Sequence, residues 1–552
     1  MSYMRNIFAL YTKISLKLQQ LVEKVSFIIR KKVVIVLFLS LIPYLLFFGK
    51  LILPNNVIYS GKDSNAFHYQ SKVYLSEKLK NNEYPFWTEK MFLGFPIYAD
   101  MERGYLNPIN VILVKYFGPF YSYKILHIVC YLLGSLSFYY FLKKYNVNYL
   151  GYFIANLIYY FSLFSFYHQQ HFNMILTYYL FPVGLFLLDI FVKEDKFRYA
   201  LFNTFLLSFC FYLGSFQFVF IFILLELIYL ISILEKITLY SYFKRFGGFL
   251  IYSFSWFFIL ILPGLLSTYS LYTVSSRSSS LDFIQGSYSP AMLINIFFPF
   301  IFNLSDKFMG SYASKDYFIH EIYIYIGLST IITSFISYFN LKIKDLVIKR
   351  FINILIVSFF ILGFLKYVPI INSINFLPFS LFRYWGRSVV FLNLAISILV
   401  GIYLSLPSYT YYNNLNLSSF FSFKNKNLKN ILYIVFYLLI LETFSIIKLF
   451  PFSINIKNSS FFNLLSILNR HDYIFEYWYF IWFLVLSFFI FILFSKTYVI
   501  KRYRSVFLSI IIIFDILVFG FIATKDSLIK NTNDLFPRTK LPGYIRDTTS
   551  GK

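Results

Sequence analysis

The residues of this chain best suited to chemistry lie in short polar stretches between long apolar runs. Asp63, in Gly61-Lys-Asp-Ser-Asn-Ala-Phe-His-Tyr-Gln70, follows the first apolar run by about ten residues. A carboxylate there can take a proton from a hydroxyl or hold a divalent cation against a phosphate. It can equally cap the helix that follows it. Asp100 and Glu102, in Asp100-Met-Glu-Arg-Gly-Tyr-Leu-Asn-Pro108, offer a second carboxylate, and Gln70 a neutral polar group. Arg277, Arg383 and Arg387 carry permanent charge on a planar fork that matches phosphate oxygens, and each could instead anchor to a lipid head group or form a surface ion pair. Glu321, beside His320, stands at the entrance to an apolar run, where a carboxylate is expensive without a partner. That partner is either an arginine, in a structural ion pair, or a metal or acceptor ligand. His168 and His171, in Tyr167-His-Gln-Gln-His171, have a spacing that could ligate a metal, but on a short turn between apolar runs they are expected to be solvated. Within the runs themselves, Asp189 and Asp515 lie near the expected ends. Glu226 and Glu442 are deeper, where they mark a polar pathway or pair inside a bundle.

The elements that must position these groups are membrane helices. Of 552 residues 59% are apolar and 13% charged, against roughly a quarter charged in soluble domains. Apolar runs of about twenty residues recur, each long enough at 1.5 Å per residue to cross a hydrocarbon core about 30 Å thick. Backbone amides find no water there, so the spans are helices; the short alternating strands of a barrel are not evident. The net charge of +26 does not point to nucleic acid, because Lys and Arg gather in short clusters between apolar runs, as in cytoplasmic loops. The two cysteines, Cys130 and Cys210, both lie inside apolar runs and support neither a disulfide framework nor a cysteine metal site.

Thirteen spans are expected, near 33–52, 121–142, 149–166, 172–192, 199–215, 217–234, 248–271, 318–339, 351–368, 388–407, 430–450, 475–495 and 505–523. The fold class is therefore an all-α integral membrane protein. A basic N-terminal segment, 1–32, precedes an uncleaved first span, the polytopic domain covers 33–524, and a short tail covers 525–552. This count puts every second loop, each rich in Lys and Arg, on the side of the N-terminus, so the N-terminus is cytoplasmic and the C-terminus extracytoplasmic. The split at Gly214 to Gln217 is essential to that alternation. Three outer loops remain, about 53–120, 272–317 and 368–387, and they hold the polar residues described above. Loops of such length are more often functional than idle. In the first, Asn65 to Lys80 carries Phe67, Tyr74 and Leu75 among charged residues, the pattern of a helix lying along the interface.

The order of Asp63, Gln70, Asn82-Glu-Tyr-Pro-Phe-Trp87, Gly94-Phe-Pro96, Tyr105 and Pro108 resembles the first outer loop of the bacterial YfhO family. Ser275-Ser-Arg277, Tyr288-Ser-Pro290, Glu321-Ile-Tyr-Ile-Tyr-Ile-Gly-Leu328 and Phe382-Arg-Tyr-Trp-Gly-Arg387 resemble later blocks of that family in the same order. The resemblance implies a GT-C-type membrane fold and a glycosyltransferase that uses a polyprenyl-phosphate-linked sugar. It also implies that Asp63 is the first-loop catalytic aspartate. Glycosyl transfer from a lipid phosphate needs a base for the acceptor hydroxyl and cationic help for the departing phosphate, for which Arg383, Arg387 and Arg277 are the candidates. Asp100, Glu102, His320, Glu321 and Gln70 are candidate substrate or metal ligands, and the one cofactor they could hold is a divalent cation, Mg2+ or Mn2+. The expected partners are a lipid-linked sugar donor, a glycan or cell-wall polymer such as teichoic acid as acceptor, and membrane lipid, with no nucleic acid. The alternative is a transporter or flippase of lipid-linked saccharides. A transporter concentrates its polar groups near mid-membrane, often in related halves, whereas here they crowd the outer loops. A polymerase or ligase with a larger donor would use similar chemistry.

Overall fold

The computed structural model describes residues 32–49, 51–52, 57–58, 63–233, 247–274, 286–288, 292–293, 296, 321, 324–340, 345–365, 382, 384–406, 503–527 and 530–531. Apart from loops and one antiparallel pair of two-residue strands, Val57–Ile58 with Lys530–Asn531, these residues are helical. Seven helices among them are long and apolar enough to cross a membrane, or eight if a bent pair counts as one span.

The first helix, α1, is Lys32–Gly49. A short helical turn, Ser64–His68, then leads into α2, Tyr69–Lys80. α2 belongs to the segment expected as the first outer loop, where Leu75 packs with Ile97, Tyr105 and Val114 in a small core of the segment's own. α3, Pro108–Lys143, begins thirteen residues before the expected span. Asn107 caps it by accepting from the Asn110 amide, and Pro108 occupies the first turn, where its missing N–H costs nothing. Gly118, at φ 75° and ψ 172°, breaks the helix just ahead of Pro119, so the expected start near 121 marks a kink inside a longer helix.

α4, Tyr149–Tyr160, and α5, Leu163–Tyr167, replace the single expected span 149–166. The pair bends by 45°, because Ser162 leaves the helix and caps α5 through the Ser165 amide. α6, Phe172–Glu194, α7, Phe197–Tyr212, α8, Phe216–Ile233, and α9, Gly248–Thr273, fall where the hydropathy places them. The turn between α7 and α8 is real. Gly214 has φ +90°, and a Cβ on it would lie 2.3 Å from the Met101 carbonyl, so the segment around Met101 packs directly on this turn.

α10, Leu328–Asn340, starts ten residues later than expected. Its amino end is captured by Asp515, which accepts from the Ser329 amide at 2.9 Å and hydroxyl at 2.7 Å and from the Tyr325 hydroxyl at 2.9 Å. Asp515 lies midway along α13, Arg504–Ser527, and is buried, not near an end as expected. The cost of burying a carboxylate is offset by a helix amino terminus, whose N–H groups and dipole favour negative charge. α11, Leu346–Gly363, is capped by Asp345, and α12, Val389–Leu404, follows a tight turn, Trp385–Ser388. At 16 and 13 residues, α7 and α10 are shorter than the seven candidate spans. The expected spans 430–450 and 475–495, and Glu442 with them, lie outside the described residues.

α3 packs on α6, α4 on α12, α6 on α7 and α8, α7 on α9, and α11 on α8 and α12. Between α4 and α12, Gly151 and Gly401 bring the backbones together: a Cβ on Gly151 would sit 2.3 Å from the Gly401 carbonyl. Small residues at such a crossing let helices associate where lipid removes the hydrophobic drive. The core is rich in fully buried tyrosines whose hydroxyls find carbonyls on neighbouring helices: Tyr178 donates to Tyr159 at 2.5 Å, Tyr160 to Tyr179 at 3.2 Å and Tyr131 to Ser40 at 2.8 Å.

Candidate functional site

Asp63 stands immediately before the helical turn that leads into α2. Its side chain makes no capping bond to that helix, so the capping alternative is not what the carboxylate does. Oδ2 instead lies 3.0 Å from Nδ1 of His171, and 53% of the side chain is exposed. His171 is the residue just ahead of α6, placed by the tight turn His168–Gln170.

His168 begins that turn, and contrary to the expectation of a solvated histidine it is fully buried, its ring stacked on Phe164 at 3.9 Å. Its Nδ1 is 2.8 Å from the Phe164 carbonyl, which only accepts, so Nδ1 carries hydrogen. Nε2 is 3.1 Å from Oε2 of Glu321. The rings of His168 and His171 are 5.6 Å apart, which joins the two acid–imidazole pairs into one row.

Glu321 is buried and gripped from its other side by Arg387 in a two-pronged pair: Nε to Oε2 at 2.9 Å, and Nη2 to Oε1. A fork against a carboxylate is the strongest geometry available to this pair. Nη1 of Arg387 donates to Oε1 of Gln217 at 3.1 Å, and Gln217 donates onward to the Tyr384 carbonyl at 2.8 Å. The Tyr384 ring lies under the guanidinium at 5.0 Å. The stretch is held in place by backbone contacts, Gly386 N–H to the Gly286 carbonyl at 2.9 Å and Tyr288 N–H to the Gly363 carbonyl at 2.7 Å. Of the expected site residues, Asp63, Glu321 and Arg387 are thus joined through His171 and His168.

Asp100 pairs with Arg103 at 2.9 Å, and Arg103 also reaches the Ser71 hydroxyl at 3.2 Å and covers the Phe67 ring at 4.5 Å. This ties the loop to α2. Glu102 is exposed on the turn that packs against Gly214, and Gln70 is half-buried in the first turn of α2. Arg277, His320 and Arg383 lie outside the described residues. Among the described carboxylates, Asp63 faces His171, Asp100 faces Arg103, and both oxygens of Glu321 face donors. No three His, Cys, Asp or Glu side chains gather for a metal ion among the described residues.

Sequence reasoning passed over three of the groups present. Gln217 was read only as part of a turn. Lys72 is buried on α2, donates to Asn110 Oδ1 and lies 5.4 Å from the Phe172 ring. Burial lowers its ammonium to about 7. His68, between Asp63 and Lys72 in sequence, is held neutral down to about 3, by burial first and by the neighbouring His171 next. A signal for Lys72 existed in the apolar spacing of α2, where Lys72 falls one turn before Leu75 and Ser76 on the buried face. Neither a family model nor a curated protein matches the chain.

Proposed function

We propose that this chain is a membrane glycosyltransferase that moves a sugar from a polyprenyl-phosphate carrier to a hydroxyl of an extracytoplasmic acceptor, a cell-wall polymer such as teichoic acid or another glycan. The observation that carries the reading is the row from half-exposed Asp63 through His171, His168 and Glu321 to Arg387. The resemblance of the outer-loop blocks to the YfhO family supports it, as does the membrane setting. In this reading thirteen helices cross the membrane, with the N-terminus inside and the row at the outer surface.

The acceptor oxygen attacks the anomeric carbon, the bond from that carbon to the phosphate oxygen breaks, and the acceptor proton passes to the Asp63 carboxylate. His171 orients that carboxylate and supports the proton's arrival. Negative charge left on the polyprenyl phosphate requires a positive surface. Arg387, Arg383 and Arg277 are the candidates for that role. The donor's lipid tail would lie in the outer leaflet beside the bundle.

The second reading, a transporter of lipid-linked saccharides, draws on Glu226, a carboxylate inside a span. Vesicles containing the purified chain, a synthetic polyprenyl-phosphate sugar labelled in the sugar, and cell-envelope acceptor distinguish the two. Label moving to acceptor above protein-free vesicles is the expected result. Lipid that changes leaflet with no sugar transferred overturns it in favour of transport.

A further inference from the structure

The two most exposed large apolar side chains among the described residues are neighbours, Phe92 at 82% and Leu93 wholly exposed. They form the tip of a hairpin whose base is closed by two reciprocal backbone bonds, from Thr88 N–H to the Phe95 carbonyl and from Phe95 N–H to the Thr88 carbonyl, each 2.9 Å. Both tip residues take left-handed backbone, at φ 51° and 61°. Such backbone is strained for a residue with a Cβ and is usually left to Gly, Asn or Asp. A bulky apolar pair held in strained backbone, outside the protein's own core, needs a reason in its surroundings. The hairpin itself is well supported. The Trp87 indole lies on Gly94, where a Cβ would come 2.6 Å from the ring, and Met91 and Phe95 pack against the small core built around Leu75.

Two neighbouring helices place this hairpin at the margin of the membrane. Just after it, the turn Ile97–Ala99 docks on α9, where the Thr268 hydroxyl donates to the Ala99 carbonyl at 3.3 Å, near the end of that helix at Thr273. α9 is the least buried of the seven candidate spans, and Leu265, Leu266 and Tyr269 stand exposed on this last part of it. On the other helix, α3, the stretch from the break at Gly118 to Lys143 is long enough by itself, at 1.5 Å per residue, to cross a hydrocarbon core about 30 Å thick. The turns of α3 before Gly118 therefore lie at the edge of that core. There Val114 packs beside Leu75, while Ile109, Ile112 and Tyr116 are exposed. The tip, the start of α3 and the end of α9 thus present apolar groups around one small core at a membrane boundary. A leaflet suits the tip better than a protein does. Two side chains of this size bury roughly 400 Å², against about 800 Å² on each side of a stable protein interface. Exposed Glu89 and Lys90 flank the tip and limit how deep it goes, and exposed Trp87 supplies the indole that gathers at head-group level.

We infer that the hairpin Thr88–Phe95 is a membrane anchor: Phe92 and Leu93 insert into the leaflet beside the end of α9 and the start of α3, leaving Trp87, Glu89 and Lys90 among the head groups. The anchor does not depend on what the row from Asp63 to Arg387 catalyses. Its effect passes through Met91 and Phe95 to the small core around Leu75, and so to α2. It sets the height of that helix, and of Asp63 ahead of it, over the leaflet.

The test uses the full chain, one copy in each phosphatidylcholine nanodisc. A fluorophore is attached at Leu93→Cys, or at Lys80→Cys on the exposed end of α2 as the reference; Cys130 and Cys210 are buried and stay in place. Lipid spin-labelled near the top of its acyl chain should quench the Leu93→Cys label at least twofold more than the reference, and iodide in the buffer should quench it at least twofold less. Phe92→Asn with Leu93→Gly removes the apolar tip and suits the left-handed backbone, so the hairpin is kept. In that background a label at Lys90→Cys should lose at least half of its lipid quenching while the helical circular dichroism stays that of the parent. Iodide quenching at Leu93→Cys equal to the reference overturns the anchor. So does a Leu93→Cys label shielded from both iodide and lipid, which assigns the tip to contact with another part of the chain. A Lys90→Cys label that ignores the paired substitution overturns it as well.

Discussion

Two ends of the same helix bundle each bury a carboxylate, and they hold it differently. At one end Asp189 of α6 is gripped by Lys144, just past α3, by Lys193 one turn along α6 at 2.7 Å, and by the Tyr229 hydroxyl of α8 at 2.7 Å. All of these stand on long helices or at their ends, two cations answer one anion, and nothing in the arrangement leaves an acid open to a substrate. At the other end Glu321 is held by Arg387 and His168, both on tight turns and not in the body of a long helix. The row there ends in Asp63, which is half exposed. Helix ends lock; turns and loops present. Function concentrates where a rigid scaffold carries irregular segments, and this contrast is the physical reason for placing chemistry at the Asp63 end.

The comparison breaks most sharply at Arg387. Replacing it with Gln leaves Glu321 buried with only half its compensation, and removing one partner of a buried pair costs about 3–5 kcal/mol. Sugar transfer should fall at least a hundredfold and the thermal midpoint should drop; Arg387→Lys should not restore transfer, because an ammonium cannot reproduce the fork. Transfer rates and unfolding of the same preparations check both halves. Asp189→Asn is the matching change at the closed end. It should cost about 1–3 kcal/mol in stability, since Lys144 and Lys193 are left facing a neutral amide but can reach solvent, and the rate per folded molecule should stay within twofold of the parent. An equal loss of specific activity from both substitutions would erase the difference between the ends.

A smaller effect sharpens the docking of α2 on α3. Lys72 has an ammonium lowered from 10.5 to about 7 by burial, so between those values the unfolded chain binds more protons than the folded one. Stability contributed there therefore rises as pH climbs from about 7 towards 10 and is lost as pH falls through 7. Lys72→Met should flatten that slope relative to the parent, read as the difference in unfolding midpoint across the pH series. The smallest expected effect is that of a chelator. With Asp63, Asp100 and Glu321 each facing a cation or N–H group, EDTA should change transfer by less than twofold, and a tenfold loss would favour a divalent cation at these carboxylates.

Much of the scaffold was legible because hydropathy acts locally. The span expected at 172–192 is Phe172–Glu194, the one at 217–234 is Phe216–Ile233, and the turn at Gly214 separates α7 from α8. What could not be read depends on residues far apart in the chain. The late start of α10 follows from Asp515, 186 positions beyond Ser329, and no local pattern announces it. The burial of His168 depends on Glu321, 153 positions away, and the role of Gln217 on Arg387, 170 positions away. Residue type and loop membership nominated Asp63, Glu321 and Arg387. They also singled out His168 and His171, but as solvated residues with metal-ligand spacing and not as the link between these groups, because Tyr167-His-Gln-Gln-His171 looks like any polar turn until the bundle closes around it.

The most direct test of the account is Asp63→Asn in the labelled-sugar transfer reaction, measured beside the unfolding midpoint. The side chain is half exposed and caps no helix, so the midpoint should move by no more than about 1 °C, while transfer should fall by about 10²–10⁴-fold with the loss of a general base. Transfer undiminished in a folded Asp63→Asn protein would contradict the assignment of the chemistry to this end of the bundle.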